Sequence, residues 1–201
     1  MTYEAEIYRR VAELHIASID QGFLPSLGPA FLTLLYRAID HCEGSILIVE
    51  HSEGQIVGFI AGSSDIGEVY RELIRNWASL FVTLIPLIIQ PRKLIGILEV
   101  LRHNRSNKEK LGLPKNELLS IAVAPKVRGT GVAERLYNAL VYYFQEREVH
   151  SFRIVVGDSL TPAHRFYRRM GAKPNASVEV HPKKKSTVYI HQLRNLSSGR
   201  L

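Results

Sequence analysis

The chain has 201 residues, of which 46% are apolar and 22% charged, and its formal net charge is +7. This composition predicts one globular domain with a hydrophobic core and excludes a disordered chain. The single cysteine, Cys42, excludes a disulfide framework and a cysteine-rich metal site, so we expect no metal and a reducing, cytoplasmic setting. The positive charge suits a phosphorylated cofactor, a nucleic acid or an anionic membrane.

The N-terminus is polar and mixed in charge over its first ten residues, so we expect no signal peptide. No apolar run reaches the ~18–20 residues that a membrane-spanning helix needs. Residues 4–18 place Ile7, Val11 and Leu14 on one face, which predicts a helix. His15 lies next to that face, and we expect a packed or partly exposed histidine rather than a catalytic one.

A second helix is predicted to start near Pro29, a favoured first helical position. Residues 44–50 and 55–61 follow as two strands of a β-hairpin. Residues 65–112 then separate this hairpin from the next predicted strand. Helical patterns and an apolar run alternate there, and residues 92–115 hold seven Lys or Arg against two Glu. We expect an inserted helical subdomain with a basic end.

A strand, a glycine-bearing loop and a helix follow between residues 116 and 146. The strand is predicted at 118–123, and the helix from 133 to 144 has apolar residues at three- and four-residue steps. Gly129 and Gly131 lack a Cβ, so the backbone N–H groups at the helix N-terminus can approach an anion closely. The loop lacks the Gly-Lys-Ser/Thr of a P-loop and the third glycine of a dinucleotide fingerprint. It predicts a phosphate site; an ordinary β–α turn is the alternative.

A further strand at 150–157 precedes a helix that ends at Gly171. One face of that helix is formed by Ala163, Phe166, Tyr167 and Met170. A final hairpin is predicted at 177–180 and 186–191.

These two motifs together resemble the GNAT superfamily of N-acetyltransferases. The pyrophosphate loop of that family, Arg/Gln-x-x-Gly-x-Gly/Ala, is matched by Arg128, Gly131 and Ala133. Its second signature, Asn-x-x-Ala-x-x-Phe-Tyr-x-x-x-Gly-Phe, is matched by Ala163, Phe166, Tyr167 and Gly171. Leu160 stands where the asparagine is common and Ala172 where the phenylalanine is. The resemblance is carried by residues 116–172.

The resemblance implies an α/β fold with a mixed, mostly antiparallel central sheet flanked by helices. The sheet would splay between its fourth and fifth strands, where the cofactor arm inserts. Residues 1–201 would form a single domain, with 65–112 as a helical insertion between the third and fourth strands. The family usually places a strand before the first helix, so that strand is very short here or missing.

The resemblance also implies acetyl-CoA as the cofactor. Its expected contacts are Ile121, Ala122, Val123, Arg128, Gly129, Thr130, Gly131, Val132, Ala133, Asp158, Ala163, Phe166 and Tyr167. Because Leu160 replaces the asparagine, Asp158 or Ser159 is expected to supply the missing hydrogen bond to the cofactor arm. Phe23 and Leu24 either line the acceptor pocket or belong to the core.

Acetyl transfer to an amine needs a neutral nitrogen, and deprotonating an amine with a pKa near ~10.4 costs about 4–5 kcal/mol at neutral pH. Tyr167 matches the family tyrosine that protonates the departing thiolate; its alternative role is a core aromatic. Glu117 is the candidate base, and alternation places it on the face of Leu119, Ile121 and Val123, where burial would make it a stronger base. A solvated glutamate is the alternative. A backbone N–H near Val123 is expected, from the resemblance, to donate a hydrogen bond to the oxyanion that forms during the transfer.

The expected function is direct transfer of an acetyl group to a primary amine. The expected acceptor is a small amine or an amino sugar, which includes acceptors that are linked to a nucleotide or a lipid. A protein or peptide amine is the second acceptor class. A non-catalytic acyl-CoA-binding or membrane-surface module is the rival from another class. The insertion, residues 65–112, would extend the acceptor pocket, form a homodimer interface or contact a membrane peripherally. Nucleic acid is not an expected partner, since the basic residues lack interleaved aromatics.

Overall fold

Helices lead into a six-stranded sheet in the computed structural model, which describes residues 3–19, 24–75, 80, 112–181 and 184–193. The elements before the insertion are α1 (Tyr3–Ser18), a 3-10 helix (Leu24–Leu27), α2 (Gly28–His41), β1 (Ser45–Ser52), β2 (Gln55–Ser63) and α3 (Ile66–Arg75). Those after it are β3 (Glu117–Val123), a 3-10 helix (Pro125–Val127), α4 (Val132–Gln145), β4 (Ser151–Gly157), α5 (Thr161–Arg169), β5 (Lys173–His181) and β6 (Lys184–Gln192).

The sheet has the strand order β1-β2-β3-β4-β6-β5. Its neighbouring strands are antiparallel except for β3 and β4, which are parallel. The predicted mixed, mostly antiparallel sheet flanked by helices is therefore confirmed. In the described part of the chain no strand precedes α1, so the expected fourth and fifth strands correspond to β3 and β4.

The sheet is open between β3 and β4. The two strands pair only where Glu117 meets Arg153 and Leu118 meets Ile154. From there β3 continues as the partner of β2, and β4 continues as the partner of β6. The expected splay is therefore present, and we call the space between the two separating strands the strand gap.

A β-bulge lies where the gap begins. Ala61 pairs with Ser120 and Gly62 pairs with Leu118, so Leu119 is the extra residue of β3. A bulge bends its strand and interrupts the alternation of side chains between the two faces. Leu119 consequently packs with the helices on the α1 side of the sheet, although Ile121, two residues later, packs on the α4 side.

Two hydrophobic layers cover the two faces of the sheet. α1, α2 and α3 pack against Phe59, Ala61 and Ala122 on one face, whereas α4 and α5 pack against Ile60 and Leu118 on the other. A larger set from α4 and β4 completes the second layer: Leu136, Tyr137, Leu140, Phe144, Phe152 and Ile154. The sheet therefore separates two helical layers, and the strand gap is an opening in the sheet between them.

Two glycines of β2 let α4 lie close to the sheet. A Cβ on Gly58 would come within 2.9 Å of Val132 Cγ1, and one on Gly62 within 2.5 Å of Leu140 Cδ1. Real Cβ atoms do not approach neighbours this closely, because interiors are packed at near-crystalline density. These positions therefore fix the distance between α4 and the sheet.

The described helices include none that is long and apolar enough to cross a membrane. α3 agrees with the helical patterns predicted within residues 65–112, but residues 76–79 and 81–111 of the expected subdomain lie outside the described residues. β5 and β6 are longer than predicted. Most of β5 is exposed, and an exposed edge strand gives no apolar alternation that would mark its start.

Candidate active site

The loop between β3 and α4 presents unpaired backbone N–H groups. Gly129 and Gly131 have φ values of 80° and 81°, a conformation that glycine adopts without a Cβ penalty. Gly131 is the N-cap of α4, whose dipole is positive at this end. Within the described chain, no acceptor is bound by the N–H groups of Gly129, Gly131, Val132 and Ala133. They are therefore available to an anion.

Arg128 and Thr130 stabilise the loop itself. The Thr130 hydroxyl donates to the carbonyl of Val127 at 2.7 Å, and its N–H points to the same oxygen at 3.4 Å. The N–H of Arg128 donates to Pro125 O, and its Nε donates to Val123 O at 3.3 Å. Both backbone N–H groups are thus already used, although sequence reasoning grouped them with the cofactor contacts.

Arg135 ties the loop to β1. Its Nε and Nη2 donate to Glu50 Oε1 at 2.9 and 2.8 Å, and its Nη1 donates to Thr130 O at 3.3 Å. Arg169 donates to Glu134 Oε1 at 2.5 Å, which joins α5 to the first turn of α4. Sequence analysis missed these contacts, because no local pattern links residues 50 and 135.

Ile121, Ala122 and Val123 lie on β3 beside the strand gap. Ile121 and Val123 are half-buried on the α4 side, and Ala122 is buried on the α1 side. None of the three pairs with β4. An unpaired strand edge of this kind binds extended amide chains through main-chain hydrogen bonds.

Tyr167, on α5, belongs to the hydrophobic layer that α4 and α5 form against the sheet; we call this layer the aromatic layer because Tyr137, Tyr167 and Tyr189 are buried in it. Its side chain is 6% exposed and packs against the rings of Tyr137, Phe166 and Tyr189, at centroid distances of 6.2, 5.3 and 6.2 Å. Burial raises the pKa of Tyr167, so its phenol keeps its proton at neutral pH. Among the described residues the hydroxyl has no hydrogen-bond partner. Both the donor role and the core role remain compatible with this position.

Glu117 forms a buried ion pair with Arg153. Arg153 donates from Nη2 and Nε to Glu117 Oε2 at 2.6 and 3.0 Å, and from Nη1 to Pro114 O at 2.5 Å. The two side chains are 10% and 5% exposed. The carboxylate oxygen Oε2 is thus held by the guanidinium of Arg153. The role of Glu117 as general base stays a prediction.

The prediction that Glu117 shares one face with Leu119, Ile121 and Val123 is wrong, because these three residues do not lie on one face. Leu119 packs on the α1 side of the sheet, whereas Ile121 and Val123 pack on the α4 side. The bulge at Leu119 adds one residue to β3, so strict alternation fails between Leu119 and Ile121.

The second motif is anchored to β6. Asp158 is exposed; its Oδ1 accepts from Thr187 Oγ1 at 2.8 Å and its N–H donates to Lys185 O. Leu160 packs into the aromatic layer with Ala163 and Phe166. Asp158 thus binds β6. The replacement of the family asparagine by Asp158 or Ser159 stays a prediction.

His164 was not predicted and joins three elements. Its Nε2 lies 3.1 Å from Gly157 O, which can only accept, so Nε2 carries the proton. Its Nδ1 then accepts from the Tyr189 hydroxyl at 2.9 Å. These bonds fix the start of α5 against the end of β4.

The acceptor side is described only in part. Phe23 lies outside the described residues. Leu24 opens the first 3-10 helix and is 37% exposed, so it is not a core residue.

Three polar side chains connect α1 to β3. His15 is buried, 2% exposed, and its Nδ1 lies 2.5 Å from the Tyr36 hydroxyl. That hydroxyl lies 3.0 Å from Ser120 Oγ. His15 Nε2 is buried and has no partner in the described structure. Tyr36 and Ser120 are functional candidates that sequence analysis missed, because the contact joins residues 84 positions apart.

Comparison with known proteins identifies a family. The family model "Acetyltransferase (GNAT) family" matches residues 16–172. No curated protein sequence is significantly similar to the chain.

Solved structures share the fold. An N-acetyltransferase from Staphylococcus aureus Mu50 has a TM-score of 0.59 at 13% identity, over 94% of this chain and 94% of that one. Ard1 from Thermoplasma volcanium has a TM-score of 0.57 at 16% identity, over 95% and 92%. A Bacillus anthracis protein described as a streptothricin acetyltransferase, in complex with acetyl coenzyme A, has a TM-score of 0.50 at 13% identity, over 79% and 68%. At these identities the likeness concerns the fold.

Proposed function

The chain belongs to the acetyltransferase (GNAT) family, and we propose that it transfers an acetyl group from acetyl-CoA directly to a primary amine. The observation that carries the proposal is the set of four N–H groups between Gly129 and Ala133 that bind no acceptor in the described chain, in the loop that follows β3. Acetyl-CoA supplies an acetyl thioester together with a diphosphate and a chain of amides. The loop suits the diphosphate, and the free edge of β3 suits the amides.

The strength of the loop is sufficient for this task. A hydrogen bond to a charged oxygen contributes about 1.5–3 kcal/mol, so four N–H groups contribute roughly 6–12 kcal/mol before the ordering cost. A micromolar affinity corresponds to about 8 kcal/mol. The loop therefore needs little help beyond the contacts of β3 and the positive charge of the chain.

Tyr167 is the proposed donor of a proton to the leaving thiol. Its neutral phenol has no competing partner in the described structure, and its position on α5 places it in the layer that contains Ile154 and Val156 of β4. Glu117 remains the candidate base. Because Arg153 holds its carboxylate, we expect a water molecule to carry the amine proton toward it.

The proposed acceptor is a small amine or an amino sugar, and a peptide amine is the second class. An acidic acceptor of either class suits the net charge of +7. Residues 65–112 would wall the acceptor pocket; a homodimer interface and peripheral membrane contact are the alternatives for that segment. A non-catalytic acyl-CoA-binding module is the rival, favoured by Leu160 in the asparagine position and disfavoured by the unpaired hydroxyl of Tyr167.

An acceptor screen tests the proposal. Acetyl-CoA binding is measured by calorimetry, and thiol release is followed with small amines, amino sugars and acidic peptides. We expect micromolar binding and release that depends on one acceptor class. Binding without release from any amine would favour the non-catalytic module, and no binding would refute the phosphate loop. Co-sedimentation with anionic vesicles tests the membrane alternative.

A further inference from the structure

The side chains of His15, Tyr36 and Ser120 form a continuous hydrogen-bonded chain from α1, through α2, to the middle of β3. The inner contact is 2.5 Å long and the outer one 3.0 Å. Tyr36 is 1% exposed, and the ring of His15 stacks on Phe59 at 6.2 Å with an interplanar angle of 17°. The inner two groups are thus fixed by packing, and only Ser120 is half-buried.

The direction of the hydrogen bonds follows from the unpaired nitrogen. If the Nε2 of His15 carried the proton, a buried N–H would have no acceptor among the residues that the structure describes, and orphaned buried N–H groups are rare. A proton on Nδ1 avoids this, because Nδ1 then donates to the Tyr36 oxygen. Tyr36 in turn donates to Ser120 Oγ, and the hydroxyl proton of Ser120 is left to point away from the core.

Ser120 stands at the entrance to the strand gap. It follows the bulge residue Leu119, two positions after Leu118, where the pairing of β3 with β4 ends. Ser120 is therefore half-buried, and on the gap side its strand edge has no main-chain partner among the described strands.

We propose that Ser120 donates a hydrogen bond to the carbonyl oxygen of the acyl group in the strand gap, and that Tyr36 and His15 are positioning residues that aim its hydroxyl. This inference rests on the proposed acetyl transfer. A donor aimed at that oxygen stabilises the negative charge that develops on it as the amine nitrogen attacks. The hydroxyl would act together with any main-chain N–H that donates a hydrogen bond to the same oxygen.

His15 is a weak base for the amine proton. Burial lowers the pKa of His15 to about 4, so the ring holds no added proton at neutral pH. A series of hydrogen bonds from His15 through Tyr36 to Ser120 agrees with a neutral ring, because His15 does not have to take up a proton for Ser120 to act as a donor.

The tautomer of His15 tests the direction in the ligand-free protein. Nitrogen-15 NMR distinguishes a protonated Nδ1 from a protonated Nε2 in a neutral imidazole. We expect Nδ1 to carry the proton. A proton on Nε2 would reverse the direction of the hydrogen bonds between His15, Tyr36 and Ser120 and would overturn the proposal.

Three variants test the contact itself. In Ser120→Ala, turnover is expected to fall about 10²-fold, as for the loss of an oxyanion donor, while cofactor affinity stays within about two-fold. The carbonyl stretching band of bound acetyl-CoA should move to higher frequency. Ser120→Thr should restore both properties. Ser45→Ala removes a buried hydroxyl bonded to Ser63 at 2.9 Å on the same sheet and serves as the control, with neither property changed.

The outcomes separate this inference from the proposed function. If the wild-type protein transfers acetyl groups and Ser120→Ala leaves turnover and the carbonyl band unchanged, only the role of Ser120 is refuted. If the wild-type protein neither binds acetyl-CoA nor releases thiol, both proposals fall.

Discussion

Glu117 and Arg153 pair across the parallel strands and form a buried ion pair at the closed end of the strand gap. They face each other in the register of β3 and β4, with Arg153 Nη2 2.6 Å from Glu117 Oε2. One further pair, Leu118 with Ile154, separates them from the point where the strands part. The ion pair therefore fastens the two strands where the gap begins.

Removal of the guanidinium should destabilise the fold strongly. Arg153→Met leaves the Glu117 carboxylate buried without its guanidinium partner, and we expect a loss of about 3–5 kcal/mol in the free energy of unfolding. Chemical denaturation measures it. The double variant Glu117→Leu/Arg153→Met should recover most of the loss, because no buried charge remains. A double variant as unstable as the single one would contradict this account.

Gly131→Glu should abolish acetyl-CoA binding while the fold persists. The new side chain places a negative charge at the anion site, and the φ value of 81° adds roughly 1 kcal/mol of strain. Gly54→Glu is the matched control, since Gly54 has φ 73° and open space around it in the β1–β2 turn. Calorimetry on both variants decides the point. Low-micromolar affinity in Gly131→Glu would refute the phosphate loop.

Tyr167→Phe should lower turnover with little change in acetyl-CoA affinity. The ring that packs on Tyr137 and Tyr189 is kept, whereas the proton donor is lost. Steady-state kinetics and calorimetry separate the two properties. Tyr142→Phe removes a hydroxyl from a tyrosine that is 58% exposed on α4, and it should leave turnover unchanged. Equal turnover in all three proteins would assign Tyr167 to packing alone.

Gly58→Ala should push α4 away from the sheet. The added Cβ would meet Val132 Cγ1 at 2.9 Å and Leu136 Cδ1 at 3.0 Å, and overpacking of this kind costs typically about 1–3 kcal/mol. Thermal and chemical unfolding measure the loss. Gly157→Ala is the control, because its Cβ would meet Leu160 at an ordinary 3.8 Å. Equal stability of the two variants would show that α4 can shift freely.

His15 should make stability depend on pH in mild acid. Burial lowers its pKa from 6.5 to about 4 in the folded protein. Between these values the unfolded chain binds one more proton than the folded chain, so stability falls by about 1.4 kcal/mol for each pH unit of acidification. The contribution is complete above pH 6.5 and is lost near pH 4. Unfolding free energies of wild type and His15→Gln, compared from pH 6.5 to 4.5, should differ in slope; parallel curves would contradict the burial effect.

Much of the fold follows from local patterns. The apolar periodicity of residues 133–144 and the two glycines before it were sufficient to predict α4 and its N-terminal loop, and the family resemblance supplied the splayed sheet. The face of Glu117 could not be read in this way, because a bulge leaves no mark in a short apolar strand.

Contacts between distant residues were also beyond sequence reasoning. Arg135 with Glu50 and Tyr36 with Ser120 meet only after the sheet has formed. His15 was expected to be packed or partly exposed. It is buried, and its partners, Tyr36 of α2 and Phe59 of β2, could not be read from the sequence.

The two helical layers place the proposed reacting groups on opposite sides of the sheet. Tyr167 belongs to the α4 layer, whereas Ser120 bonds to Tyr36 in the α1 layer. Both groups would contact the same acetyl thioester, Ser120 at its carbonyl oxygen and Tyr167 at its sulfur. The thioester would therefore lie across the opening, and we expect an amine bound at the same time to attack it directly, with initial-rate plots that intersect as for a ternary complex.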